Sequence, residues 1–152
     1  MVPLIEYAAL QASAQGMSME NSTYPVCIVT GLSGAGKSTA LRVFEDLQFF
    51  TVDGLPASLA PEMIAMMQRP SMAHFNGIAL GMDIRQNAFQ EELARALELL
   101  AKQGIHPVLL FITAEVPVLI RRYAQTRRPH PLEKEGMGLE ASITCEVKRL
   151  CH

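Results

Sequence analysis

The sequence predicts an α/β fold, a parallel sheet flanked by helices. Three observations predict it. Four short apolar runs, 26–30 (VCIVT), 49–52 (FFTV), 78–82 (IALGM) and 108–113 (VLLFIT), are continuous rather than alternating, as in strands buried on both faces. Segments with helical periodicity lie between them. A glycine-rich turn joins the first run to the first of these segments. Strands alternating with helices imply parallel pairing through right-handed crossovers.

Composition bounds the rest. At 152 residues, 49% hydrophobic and 18% charged, the chain can bury one core and is neither a disordered tail nor a charged coiled coil. The net charge of −2 leaves no global basic field, so any nucleic-acid contact must come from a local patch. Three cysteines (Cys27, Cys145, Cys151) lack metal or redox spacing, which points away from a disulfide scaffold and towards a reducing compartment. The histidines His74, His106, His130 and His152 are scattered. No apolar run has the roughly 18–20 residues of a membrane span. The first Lys or Arg is Lys37, so a positively charged leader is not apparent, and a cytoplasmic protein without membrane contact is expected.

Along the chain, residues 1–24 read as an N-terminal extension, with Met17 and Met19 as alternative starts. Order begins at Pro25, and residues 25–132 form the predicted domain. After the first strand, Leu41, Phe44 and Leu47 give residues 37–47 a helical face. The clearest helix is 87–103. Asn87 can cap it with Gln90 at the box position, Phe89, Leu93, Leu97 and Leu100 form its stripe, and Gly104 stops it. A further helix is predicted from Pro117 through Tyr123. Residues 133–152 read as a loop and one helix, the start of a truncated C-terminal part. With only four strands, an open edge beyond the fourth is expected, and with it self-association into a homo-oligomer.

The strongest motif is Gly31-Leu32-Ser33-Gly34-Ala35-Gly36-Lys37-Ser38, a full match to G-x-x-x-x-G-K-[ST]. Its glycines let successive N–H groups point at phosphate oxygens, and the following helix adds positive potential. In that reading Lys37 reaches the β- and γ-phosphates, and Ser38 offers its hydroxyl to Mg²⁺. A buried strand leading in and an amphipathic helix leading out are the context the motif requires. A P-loop NTPase-type sheet follows, with strand order 2-3-1-4 by analogy with P-loop kinases.

In such sheets ligands bind beyond the carboxyl ends of the strands. Asp53 ends the second strand and Asp83 the third, so both are expected at the crevice. There a carboxylate can hold Mg²⁺ through water, a role given to Asp53 with Ser38, or orient an attacking group. The competing reading, an aspartate capping the next turn, is weaker beside a phosphate loop. Arg121, Arg122, Arg127, Arg128 and Lys134 crowd into one stretch around His130. The favoured role is a lid in which Arg127 and Arg128 neutralise phosphoryl charge. RNA phosphate contact and a solvated helix face are the alternatives.

Three stretches, GLSGAGKSTALRVFEDLQFFTVDGLP, GMDIRQ and LIRRYAQTRRPHPL, resemble the RapZ/YvcJ nucleotide-binding proteins, the RNase adapter family. The resemblance covers about residues 26–132. It implies a domain that binds ATP and GTP with Mg²⁺ and hydrolyses them slowly, with ATP at Gly31–Ser38. The element associated with GTP falls on Asp83, Ile84, Arg85 and Gln86. Gln86 replaces the usual Asn or Ser, and Gly54 the usual Asn. The resemblance also implies a second, C-terminal domain linked to RNA binding, which this chain stops before. The alternative function is a small-molecule kinase of the gluconate or shikimate type, which shares the phosphate loop, an Asp after the second strand and an Arg-bearing lid.

Overall fold

A computed structural model of the chain describes residues 24–83, 88–126, 129–136 and 138–150. Four strands, β1 (Val26–Gly31), β2 (Phe49–Val52), β3 (Gly77–Gly81) and β4 (Val108–Ile112), form one parallel sheet in the order β2-β3-β1-β4. That is the expected order, and it sets the carboxyl ends of β2 and β3 on one side of β1. Helices α1 (Lys37–Asp46), α2 (Ala60–Met67), α3 (Phe89–Lys102), α4 (Val116–Gln125) and α5 (Leu139–Leu150) complete the architecture. Among the described residues no helix is long and apolar enough to cross a membrane.

The alternation of strand side chains divides the core in two. Val26, Ile28, Ile78 and Leu80 join Ile64 and Met67 of α2 and Leu93, Ala96, Leu97 and Leu100 of α3. On the opposite face Cys27, Val29 and Ala79 pack against Leu41 of α1. A third cluster, Leu32, Ala35, Leu119 and Ile143, docks α4 and α5 onto the turn that follows β1.

Two expectations are corrected, and one helix was not foreseen. Burial on both faces holds for β1 and β3 but not for β2, whose four residues are all only half-buried, nor for β4, where Val108 is 67% and Leu110 38% exposed. These two residues share one face of the edge strand, while Leu109, on the other, packs against the main core. The cap of α3 also differs. Asn87 lies outside the described residues, and the N-cap is Ala88, in the left-handed region at φ 64° and without a side-chain cap bond. Helix α2 was not legible as an element. Its eight residues, APEMIAMM, are apolar nearly all round, so they show no helical period.

Gly31 ends β1 at φ +133°, and a Cβ there would overlap the carbonyl oxygen of Ile112 on β4. The close approach is what allows Leu32 N–H to donate to that same oxygen at 3.0 Å. Gly31→Ala is expected to destabilise the chain by about 2 kcal/mol or more, read as a lowered urea midpoint.

Burial pushes the Cys27 thiol up from 9.0 to about 11. The unfolded chain therefore releases this proton first. The contribution of Cys27 to stability is complete below about pH 9 and lost as pH rises through about 11. Thermal melts from pH 8 to 11 should show a decline in stability that is shallower in Cys27→Ala.

Candidate functional site

Beyond β1 the chain turns through 31–36 into α1. Gly36 is the N-cap of α1 at φ 116°, left-handed and with no side-chain cap bond, so the helix start is not covered by its own cap. The loop N–H groups divide into two sets. Those of Leu32, Ser33 and Ala35 donate to Ile112 O, to the Glu146 carboxylate and to Leu32 O. Those of Gly34 and Gly36 meet no acceptor among the described residues. Two donors and the positive end of α1 are thus left for an anion.

Lys37 Nζ donates to Gly31 O at 2.9 Å and to Leu32 O at 3.1 Å, which places the ammonium against the loop backbone. Ser38 Oγ donates to Asp53 Oδ2 at 2.9 Å. Asp53 stands just after β2. Its position depends on Gly81 of the neighbouring strand, where a Cβ would come within 2.9 Å of Asp53 Oδ1. Asp83, two residues past β3, lines the same cavity of about 590 Å³ as Lys37, Ser38 and Asp53. Parallel pairing of β2, β3 and β1 brings these groups together from distant sequence.

From the other side comes α4. Arg122 Nη1 donates to Gly34 O at 3.0 Å and to Ala35 O at 3.1 Å. This guanidinium lines the cavity, together with Tyr123 and Thr126. Glu146, on α5 and 2% exposed, accepts from Ser33 Oγ at 2.6 Å. The buried His130 ring lies 3.2 Å from the same carboxylate and 5.1 Å from the Tyr123 ring. The loop is therefore gripped by a cation on its carbonyls and an anion on a donor.

Of the residues singled out from sequence, 31–38, Asp53 and Asp83 gather at this cavity or form its loop. Ile84, Arg85, Gln86, Arg127 and Arg128 lie outside the described residues. Arg122 belonged to the basic stretch but was not singled out for the site, since sequence could not say which arginine turned inward. Glu146 was missed. Its available signal was a carboxylate embedded in the stripe Leu139, Ile143, Val147.

Among the described residues no cluster of three or more His, Cys, Asp or Glu is poised to hold a metal. The Ser38–Asp53 oxygen pair is nevertheless a hard donor set. It fits an ion such as Mg²⁺, which takes few protein oxygens and fills its shell with phosphates and water.

The profile of the RapZ-like N-terminal domain matches residues 24–152. The chain belongs to that family. A nucleotide-binding protein of Desulfovibrio desulfuricans is 69% identical over 125 residues, 82% of this chain and 40% of the relative. One of Nitratidesulfovibrio vulgaris is 56% identical over 132 residues, 87% of this chain and 45% of the relative. One of Bacillus velezensis is 44% identical over 126 residues, 82% and 42%. This RapZ-like chain thus spans less than half the length of these relatives.

One nitrogen of Arg122 serves both loop carbonyls, so a lysine can replace much of its hold. Arg122→Ala should cost about 1–2 kcal/mol in chemical denaturation, and Arg122→Lys clearly less.

Proposed function

We propose that this RapZ-like domain binds nucleoside triphosphates, ATP and GTP, with Mg²⁺, and hydrolyses them slowly. One observation carries the reading: a glycine loop with unclaimed N–H groups runs into an uncapped helix start, facing a cavity that also holds Lys37, Ser38, Asp53 and Asp83. The names of the relatives, nucleotide-binding proteins, support it. The triphosphate lies along Gly31–Ser38, and Lys37, positioned by the loop carbonyls, reaches the terminal phosphates. Ser38 and Asp53 hold Mg²⁺, Asp53 through water. Bound Mg²⁺ neutralises charge on the β- and γ-phosphates.

Asp53 and Asp83 are the described carboxylates able to orient an attacking water, and Arg122 is the described guanidinium at the cavity. Arg127 and Arg128 remain the proposed lid, and Asp83 with Ile84, Arg85 and Gln86 the proposed GTP element. RNA contact is assigned to the part of the longer relatives that lies beyond the match. A reducing cytoplasm suits the free thiols of Cys27 and Cys145.

The test is titration of the chain with ATP and GTP, with and without Mg²⁺. Affinity should depend on Mg²⁺. Lys37→Ala should weaken ATP roughly ten- to a hundredfold, the worth of a charge-assisted contact, and AMP far less. Unchanged ATP affinity in a folded variant would sink the reading. ADP release that requires an added hydroxyl acceptor would point to the kinase alternative instead.

A further inference from the structure

The inward face of α5 carries Leu139, Ile143 and Val147, which pack with Leu32, Ala35 and Leu119. Glu146 lies on that same face, 2% exposed. A carboxylate is costly there unless hydrogen bonds surround it. It has them. The Ser33 N–H lies 3.2 Å from each oxygen, and the Ser33 hydroxyl donates to Oε1 at 2.6 Å. His130 Nδ1 accepts from Leu132 N–H at 3.2 Å, so the imidazole proton sits on Nε2 and is donated to Glu146 Oε2 at 3.2 Å.

The decisive detail is on the far side of one peptide plane. The peptide linking Leu32 to Ser33 is held at its N–H by Glu146 and at its oxygen by Lys37 Nζ, 3.1 Å away. A planar trans peptide points these two groups in opposite directions, so fixing one fixes the other. An anion on the N–H also polarises the carbonyl and strengthens its bond to a cation. A leucine would fill the same apolar face but would leave this plane held only at its oxygen, by Lys37 and the Ala35 N–H.

We propose that Glu146 is a positioning residue for the nucleotide site: it orients the Leu32–Ser33 peptide and thereby sets where Lys37 stands. The proposal rests on the triphosphate reading above. Because Glu146 acts through the lysine that serves the terminal phosphates, its loss must discriminate between nucleotides by phosphate number. A merely structural role would weaken all of them alike.

The experiment measures ATP and AMP affinity, with Mg²⁺, in the full chain and in Glu146→Gln, which keeps volume and removes charge. ATP affinity should fall roughly tenfold while AMP affinity stays within about twofold. Ser33→Ala removes the 2.6 Å bond yet keeps the N–H, so it should show the same bias at smaller size, and it serves if Glu146→Gln does not fold. In a folded variant, equal losses for ATP and AMP, unchanged ATP affinity or tighter ATP binding would each overturn the proposal. Absence of ATP binding by the unaltered chain would overturn the triphosphate reading itself, and this inference with it.

Discussion

A glycine loop between a strand and a helix has peptide groups that neither element can satisfy, and the rest of this structure is arranged around that constraint. The loop leaves β1 and enters α1 within five residues, too tightly for a regular hydrogen-bond ladder. Its N–H groups therefore go to Ile112 on β4, to Glu146 on α5 and to Leu32 within the loop. Its carbonyls go to Lys37 and to Arg122 on α4. Buried or half-buried peptide groups without partners cost as much as lost hydrogen bonds, so each of these anchors has to be present at once. The same bookkeeping explains which N–H groups remain for a ligand.

The sheet supplies the second half of the site. Parallel pairing with β3 between β1 and β2 points the ends of all three strands the same way, and Asp53 and Asp83 follow from their places just beyond β2 and β3. Small residues permit the closeness. Gly81 leaves the space that Asp53 occupies, as Gly31 leaves the space for the Ile112 carbonyl. Core and site are therefore mechanically continuous, since Leu41, by which α1 packs on the sheet, is also the side chain nearest to a Cβ at Gly81.

On the opposite flank the arrangement is more open. Helices α4 and α5 and the 131–135 turn hold the loop through Arg122 and one compact polar group, Ser33–Glu146–His130, backed by Leu119 and Ile143. Beyond it, one face of β4 stays exposed at Val108 and Leu110. Stability in this flank rests on a few directional bonds and a small apolar cluster, whereas the β2–β3–β1 side rests on extensive burial. Perturbations of the two flanks should therefore be felt differently at the loop.

The sequence by itself determined the α/β class, all four strands to within a residue, and α1, α3 and α4 to within two residues. Each is written locally, in continuous apolar runs or in a stripe such as Phe89, Leu93, Leu97 and Leu100. The glycine loop was equally legible, because its backbone demands particular residues at fixed spacing. So was the placing of Asp53 and Asp83 at strand ends. Only the tertiary structure decided that Arg122 turns onto the loop carbonyls and that Glu146, 113 positions from Ser33, closes on its hydroxyl. It alone decided that β4 is covered on one face. These depend on how α4 and α5 dock, and docking is set by packing between distant segments; the stripe around Glu146 marks an inward carboxylate but not the partner it meets.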